Sequence, residues 1–140
     1  MRILKQLRHE NVVSLIEVFR RKRKLYLVFE YVEGNLLEAL EKHPEGLDMG
    51  EVRRIMWQLI RGVDYLHSHS VIHRDLKPAN ILINNNLFKI CDFGFSKVIK
   101  DPTVANKTCV GSPIYMAPQI LDKKDYSAKC DIWSLGIIMY

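Results

Sequence analysis

Two short stretches of this 140-residue chain gather side chains that can do chemistry. The first is His73-Arg74-Asp75-Leu76-Lys77-Pro78-Ala79-Asn80, the second Cys91-Asp92-Phe93-Gly94. Together they supply two carboxylates, an ammonium and a side-chain amide. Carboxylate and amide oxygens are hard donors that suit a hard cation. A carboxylate can also accept or orient a proton, and a nearby ammonium can neutralise charge building on a reacting group. Gly94 permits a sharp backbone turn beside Asp92. The bland alternative makes Asp75 and Asp92 solvated turn residues.

Such groups act only if regular elements bring them together. Met1 to Arg8 reads as the end of a helix, with Ile3, Leu4 and Leu7 on one face. Val12–Phe19 and Leu25–Tyr31 read as strands. The second is a near-continuous apolar run, which predicts burial on both faces. Asn35–Leu40 reads as a short helix. Asp48 then offers an N-cap, with Glu51 three residues on completing a capping box. Behind it Val52, Ile55, Met56, Leu59, Ile60, Val63 and Leu66 recur at helical spacing, the pattern of a long amphipathic helix. Ile81–Ile83 and Leu87–Cys91 read as strands of a hairpin, because Asn84-Asn85-Asn86 tolerates positive φ. Asp92–Ala117 is a long loop, a length that usually carries function. Asp131–Tyr140 is apolar almost all round and predicts a helix buried on every side. With nothing after Tyr140 to bury it, the chain reads as truncated.

Composition narrows the class. The chain is 48% hydrophobic and 26% charged with a net charge of +5, which fits one soluble globular domain without demanding an anionic partner. No segment approaches the run of about 18 apolar residues that spans a bilayer, and the N-terminus lacks a secretory pattern. The basic run Arg20-Arg21-Lys22-Arg23-Lys24 reads as a solvated turn, since no aromatic residues interleave with it to stack on bases. The three cysteines, Cys91, Cys109 and Cys130, lack disulfide or zinc spacing, which points to a reducing, cytoplasmic or nuclear compartment. His67, His69 and His73 lack ligand partners at metal spacing.

The two chemical stretches resemble the catalytic loop and metal-binding turn of eukaryotic protein kinases. An eight-residue match followed by a hairpin and Asp-Phe-Gly is far more specific than a lone His-Arg-Asp. The resemblance covers the whole chain but only the middle of the family's domain. It implies an α+β, protein-kinase-like fold in part: residues 1–31 the remnant of the N-lobe and the start of the hinge, 32–140 the C-lobe through the start of its central buried helix. It implies a Ser/Thr protein kinase using ATP and Mg²⁺ on protein substrates. Asp75 would orient the attacking hydroxyl, Lys77 neutralise charge on the transferred phosphate, and Asn80 and Asp92 hold the metal. Phe29 falls at the gatekeeper, and Glu30, Tyr31 and Val32 form the hinge that would bind adenine, with Leu82 beneath it. Leu76-Lys77-Pro78 and Gly111–Pro118 follow the Ser/Thr pattern, with Ser112 seating the substrate on Asp75 and Lys77. Thr108 is the regulatory position, where phosphate from an upstream kinase would pair with Arg74; the alternative is an unmodified loop threonine. Leu4, Leu15, Phe93 and His73 would stack between the lobes, and Asp131 would tie the last helix to the catalytic-loop backbone.

The departures are specific. Within Met1–Tyr140 there is no Gly-rich phosphate loop and no strand lysine for the α- and β-phosphates, and the helix glutamate that pairs with that lysine belongs just before Met1. Gln119 stands where a glutamate usually follows Ala-Pro. Phe19–Val32 and Phe95 resemble cyclin-dependent-kinase-like proteins, whereas Ile114-Tyr115-Met116 is similar to NIMA-related or calcium/calmodulin-type kinases. Two readings follow: an enzyme whose 140-residue stretch is inactive by itself, or a non-catalytic fragment that acts as a binding module.

Overall fold

The structure, a computed structural model, describes residues 2–99 and 106–140. After a short helix α1 (Arg2–Gln6), an antiparallel hairpin pairs β1 (Leu15–Arg21) with β2 (Lys24–Phe29). Register runs from Leu15 opposite Phe29 to Arg21 opposite Lys24, with a bulge between Leu15 and Glu17. Lys22 and Arg23 take φ of 47° and 64°, the paired left-handed conformation of a two-residue hairpin turn. The basic run therefore lies on an exposed turn and its flanks, as expected. The apolar run does not behave as expected. Leu25, Tyr26, Leu27 and Val28 are all exposed: among the described residues β2 pairs with β1 alone, and the short helix α1 lies against β1. Phe19 and Tyr26 stack on each other at 5.1 Å instead.

From Gly34 onward the longest elements are helices. Strands β3 (Gly34–Asn35), β5 (Ile81–Asn84) and β6 (Leu87–Ile90) form a sheet in the order β3-β5-β6. β4 (Val71–Ile72) pairs with β7 (Lys97–Val98). The expected Asn turn joins β5 to β6, with Asn85 at φ 54°. Helix α2 (Leu36–Glu41) starts where Asn35 Oδ1 accepts the Glu38 N–H at 3.0 Å and Asn35 Nδ2 returns a bond to Glu38 Oε1 at 2.8 Å.

Helix α3 (Met49–Ser68) is the scaffold. Asp48 caps it, accepting from the N–H groups of Gly50 and Glu51. Only this half of the capping box forms, since Glu51 turns to Arg54 at 3.4 Å. Ile55, Leu59, Val63 and Leu66 make its buried stripe. Ile60, placed by periodicity on that stripe, lies on the exposed face instead. The stripe packs with Leu7, Val12, Val13, Leu76, Ile81, Phe88, Ile90 and Leu135 in one core. Gly62 lets strand and helix meet, since a Cβ there would come within 2.9 Å of the Asn11 carbonyl and 3.0 Å of Ile90 Cδ1. At the same crossing Asn11 Nδ2 donates to Gln58 Oε1 and to the Phe88 carbonyl.

Helices α4 (Pro118–Leu121) and α5 (Lys129–Met139) close the chain. A second core of Ile72, Met116, Ala117, Ile120, Tyr126 and Cys130 lies beneath them. α5 is not buried on every side. Cys130, Asp131, Ser134 and Leu135 face inward, whereas Ile132, Trp133, Ile137 and Met139 are exposed, because only one side of α5 meets α3 and the loops. No helix among the described residues is long and apolar enough to cross a membrane.

Candidate active site

The segment from His73 to Asn80 leaves β4 and ends in a single 3₁₀ turn, Pro78–Asn80. Its backbone must satisfy its own polar groups, and α5 supplies the acceptor. Asp131, fully buried, takes the His73 N–H on Oδ2 at 2.9 Å and the Arg74 N–H on Oδ1 at 2.8 Å. His67 Nε2 meets the same Oδ2 at 2.9 Å. This is the tie expected of Asp131, with His67 added to it. Arg74 itself sits at φ 71°, a left-handed conformation held by those bonds.

His73 joins the two chemical stretches. Its Nδ1 accepts the Asp75 N–H at 3.3 Å, so Nε2 carries the proton it donates to the Cys91 carbonyl at 2.8 Å. The ring meets Phe93 edge-on at 5.2 Å. Leu4 packs on the core that contains Phe93, and Leu15 is buried.

Asp75 is the centre. It is 4% exposed, and both of its oxygens are engaged. Oδ1 accepts the Ser112 N–H at 2.8 Å and the Ser112 hydroxyl at 2.9 Å. Oδ2 faces Lys77 Nζ at 3.0 Å and Asn80 Nδ2 at 3.1 Å. Lys77 Nζ also donates to Ser112 Oγ at 2.8 Å. Burial pushes the Asp75 carboxyl up, but the hydrogen bonds from Lys77 and Ser112 and the Lys77 charge outweigh it and hold it below the ordinary range. The carboxylate is thus ionised and fixed in orientation.

Asn80 spends its amide nitrogen on Asp75, on the backbone carbonyl at 2.9 Å as well as on Oδ2. Its carbonyl oxygen is left for another partner. The Cys91 N–H bonds to the Asn80 backbone carbonyl at 2.9 Å and so places Asp92 next along the chain. Asp92 is exposed, and its Oδ1 accepts the Gly94 N–H at 3.1 Å. The sharp turn expected at Gly94 falls on Asp92 itself, at φ 61°. Gly94 contributes space instead: a Cβ there would lie 3.1 Å from Asp92 Oδ1.

The remaining predicted residues lie around this network. Arg74 Nε donates to the Phe95 carbonyl at 2.7 Å, and its Nη1 to the Tyr126 hydroxyl at 3.1 Å. Thr108 is exposed, and its carbonyl accepts from that same hydroxyl at 2.7 Å. Phe29 and Leu82 pack partly buried against the main core. Tyr31 projects into solvent and Val32 is half-buried. The Glu30 side chain is a brace: Oε1 accepts the Ser14 N–H at 2.7 Å and pairs with Lys89 at 3.1 Å. Burial raises the Glu30 carboxyl, and those donors more than reverse it. Gln119 is exposed. His69 bonds to the Tyr65 carbonyl, so the three histidines go to three separate structural partners.

Two residues at the site, Tyr126 and Lys89, escaped sequence reasoning, and a third, Gly111, was named there without its backbone role. Tyr126 and Lys89 carry no local signal, since each acts across tens of residues. Gly111 had one, a glycine opening Gly-Ser-Pro. It sits at φ 113°, and a Cβ would fall 2.4 Å from the Arg74 carbonyl, so the segment passes the catalytic loop backbone to backbone.

The site is thus a buried carboxylate gripped by a lysine, an amide and a serine, beside an Asp-Phe-Gly turn. The sequence matches the model of the protein kinase domain over residues 1–140, and the chain belongs to that family. Among relatives, cyclin-dependent kinase-like 4 of Mus musculus is 45% identical over 99% of this chain and 41% of its own length. Cyclin-dependent kinase-like 2 of Homo sapiens is 42% identical over 99% of this chain and 29% of its own, and cyclin-dependent kinase-like 5 of Mus musculus 43% over 99% and 15%. The chain spans less than half the length of these curated relatives. The likeness to cyclin-dependent-kinase-like proteins read from Phe19–Val32 agrees with these relatives, each of which aligns over 99% of the chain.

Proposed function

We propose that this chain is the catalytic core of a Ser/Thr protein kinase that transfers the γ-phosphate of ATP to hydroxyls of protein substrates. Residues 1–31 are the end of its smaller lobe and the hinge start, and residues 32–140 part of its larger lobe. The observation that carries the reading is the closed set Asp75–Lys77–Ser112, in which every member touches the other two within 3.0 Å. Asp75 is ionised and aimed, ready to orient a Ser or Thr hydroxyl and take its proton. Lys77 places a fixed positive charge where phosphate charge spreads. Ser112 holds both and fixes the floor on which the acceptor residue rests.

The donors fit Mg²⁺. Asn80 offers an amide oxygen freed by the use of its nitrogen on Asp75, and Asp92 a carboxylate, both hard oxygen ligands. These two residues would hold the ion, which when bound neutralises nucleotide phosphate charge. The Glu30–Val32 backbone, beside Phe29 and Leu82, would take the adenine. Thr108 would accept an activating phosphate from an upstream kinase. The 140 residues contain neither the Gly-rich loop nor the strand lysine that pairs with the α- and β-phosphates in the family, so this stretch by itself does not turn over.

The test uses the intact protein with ATP, Mg²⁺ and peptides bearing Ser, Thr or Tyr acceptors. Transfer to Ser and Thr alone is expected. Asp75→Asn should lower kcat by roughly 10³-fold or more with the fold intact. Asp92→Asn should abolish Mg²⁺-dependent transfer. Retained turnover in either variant, or transfer to tyrosine, refutes the assignment.

A further inference from the structure

The segment from Asn106 to Ser112 is held at both ends. At its far end Ser112 grips Asp75, and Gly111 lies against the Arg74 carbonyl. At its near end Asn106, 1% exposed, forms a two-way backbone bridge with Tyr126, N–H to carbonyl at 3.3 Å and 3.2 Å, and its side-chain amide adds a third bond to the Tyr126 carbonyl. Tyr126 is 7% exposed, its ring set among Ile72, Met116, Ile120 and Cys130. A buried phenol needs polar partners for its oxygen. It has two: the hydroxyl accepts from Arg74 Nη1 and donates to the Thr108 carbonyl. Arg74 makes no ion pair among the described residues, so this neutral hydroxyl and the Phe95 carbonyl are what hold its guanidinium.

We propose that Tyr126 is a positioning residue: its hydroxyl latches the Asn106–Ser112 segment at Thr108 to Arg74, and so keeps Ser112 seated on Asp75. The relay runs from a charged donor through one hydroxyl to one backbone carbonyl, and phenylalanine would delete both bonds while keeping the ring. Arg74 is the neighbour of Asp75 in the chain, so a loosened segment and a loosened guanidinium disturb the same carboxylate. The latch also fixes where Arg74 rests before any phosphate reaches Thr108.

The experiment compares Tyr126→Phe with the wild-type intact protein by hydrogen–deuterium exchange. Amides from Lys107 to Gly111 should exchange roughly tenfold faster in the variant, the size expected for losing a hydroxyl bonded to a charged group, while the α3 amides keep their rates. The kinetic arm rests on the proposed kinase function. There kcat/KM for a Ser/Thr peptide should fall roughly tenfold with the KM for ATP unchanged, because the nucleotide side is not touched. Unchanged exchange at Lys107–Gly111 overturns the proposal, as does a uniform rise across α3 and the segment alike, which would mark a purely structural residue. Exchange needs no turnover, so a protein that transfers no phosphate refutes the kinase reading and still decides this one.

Discussion

The β1–β2 hairpin and the loop from His73 to Asn80 treat their side chains in opposite ways. In the hairpin, Val28 is 37% exposed and Tyr26 42%, although both belong to an apolar run. In the loop, His73 and Asp75 are buried although both are polar. Apolar character determines what gains from burial, but an element must be present to cover it. Polar groups can be buried without such a gain once partners stand at fixed distances, and Asp131, Ser112 and Lys77 are those partners. The loop is therefore specified pair by pair, whereas the hairpin is specified mainly by its turn and register.

That contrast sets an order of effects. Breaking the loop should cost most. Asp131→Ala strips His73 and Arg74 of their backbone acceptor and is expected to destabilise the intact domain by about 3–5 kcal/mol in urea unfolding. Gly111→Ala comes next. Alanine can neither adopt φ 113° easily nor avoid the Arg74 carbonyl, so a loss of about 1–3 kcal/mol and a marked drop in peptide transfer are expected from calorimetry and initial rates. Ser112→Ala is milder and shows its effect in pH dependence. A carboxyl held below its ordinary value stabilises the fold fully above that value, and the contribution fades as pH falls through the lowered one. Removing the Ser112 hydroxyl lets the Asp75 carboxyl rise, so acid unfolding should begin at higher pH; an unmoved transition would deny the hydroxyl its role. The smallest effect belongs to the hairpin. Replacing Lys22-Arg23 with Asn-Gly suits two positive-φ positions and should stabilise by about 0.5–1 kcal/mol in a thermal melt. If it instead destabilised as much as Gly111→Ala, the distinction between the two regions would fail.

Much of the molecule was legible in its sequence for the same reason. Periodicity placed α3 because its stripe meets a core along most of its length, and it failed at Ile60, where the helix turns that position outward. Asn85 marked its hairpin because asparagine tolerates the backbone that the turn needs. Asp75, Lys77 and Asn80 of the loop, and Ser112 beyond it, were readable from the resemblance to protein kinases, and their side chains do meet at Asp75. Burial of β2 on both faces and of α5 on all sides was expected and is not found, since composition reports an appetite for contact and not the neighbour that satisfies it. Tyr126 and Lys89 were invisible because their partners are distant in sequence. Gly94 was read as the bend, yet Asp92 takes the positive φ and the glycine supplies clearance.

Lys89 and Ser14 grip the Glu30 carboxylate from two sides, one from β6 and one from the approach to β1. The crossover that begins at Glu30 is thereby stiffened at its root before anything docks on it. Backbone that surrendered its freedom during folding has little left to surrender on recognition. If the proposed hinge takes a nucleotide base, that base meets an edge already braced by bonds formed elsewhere in the molecule.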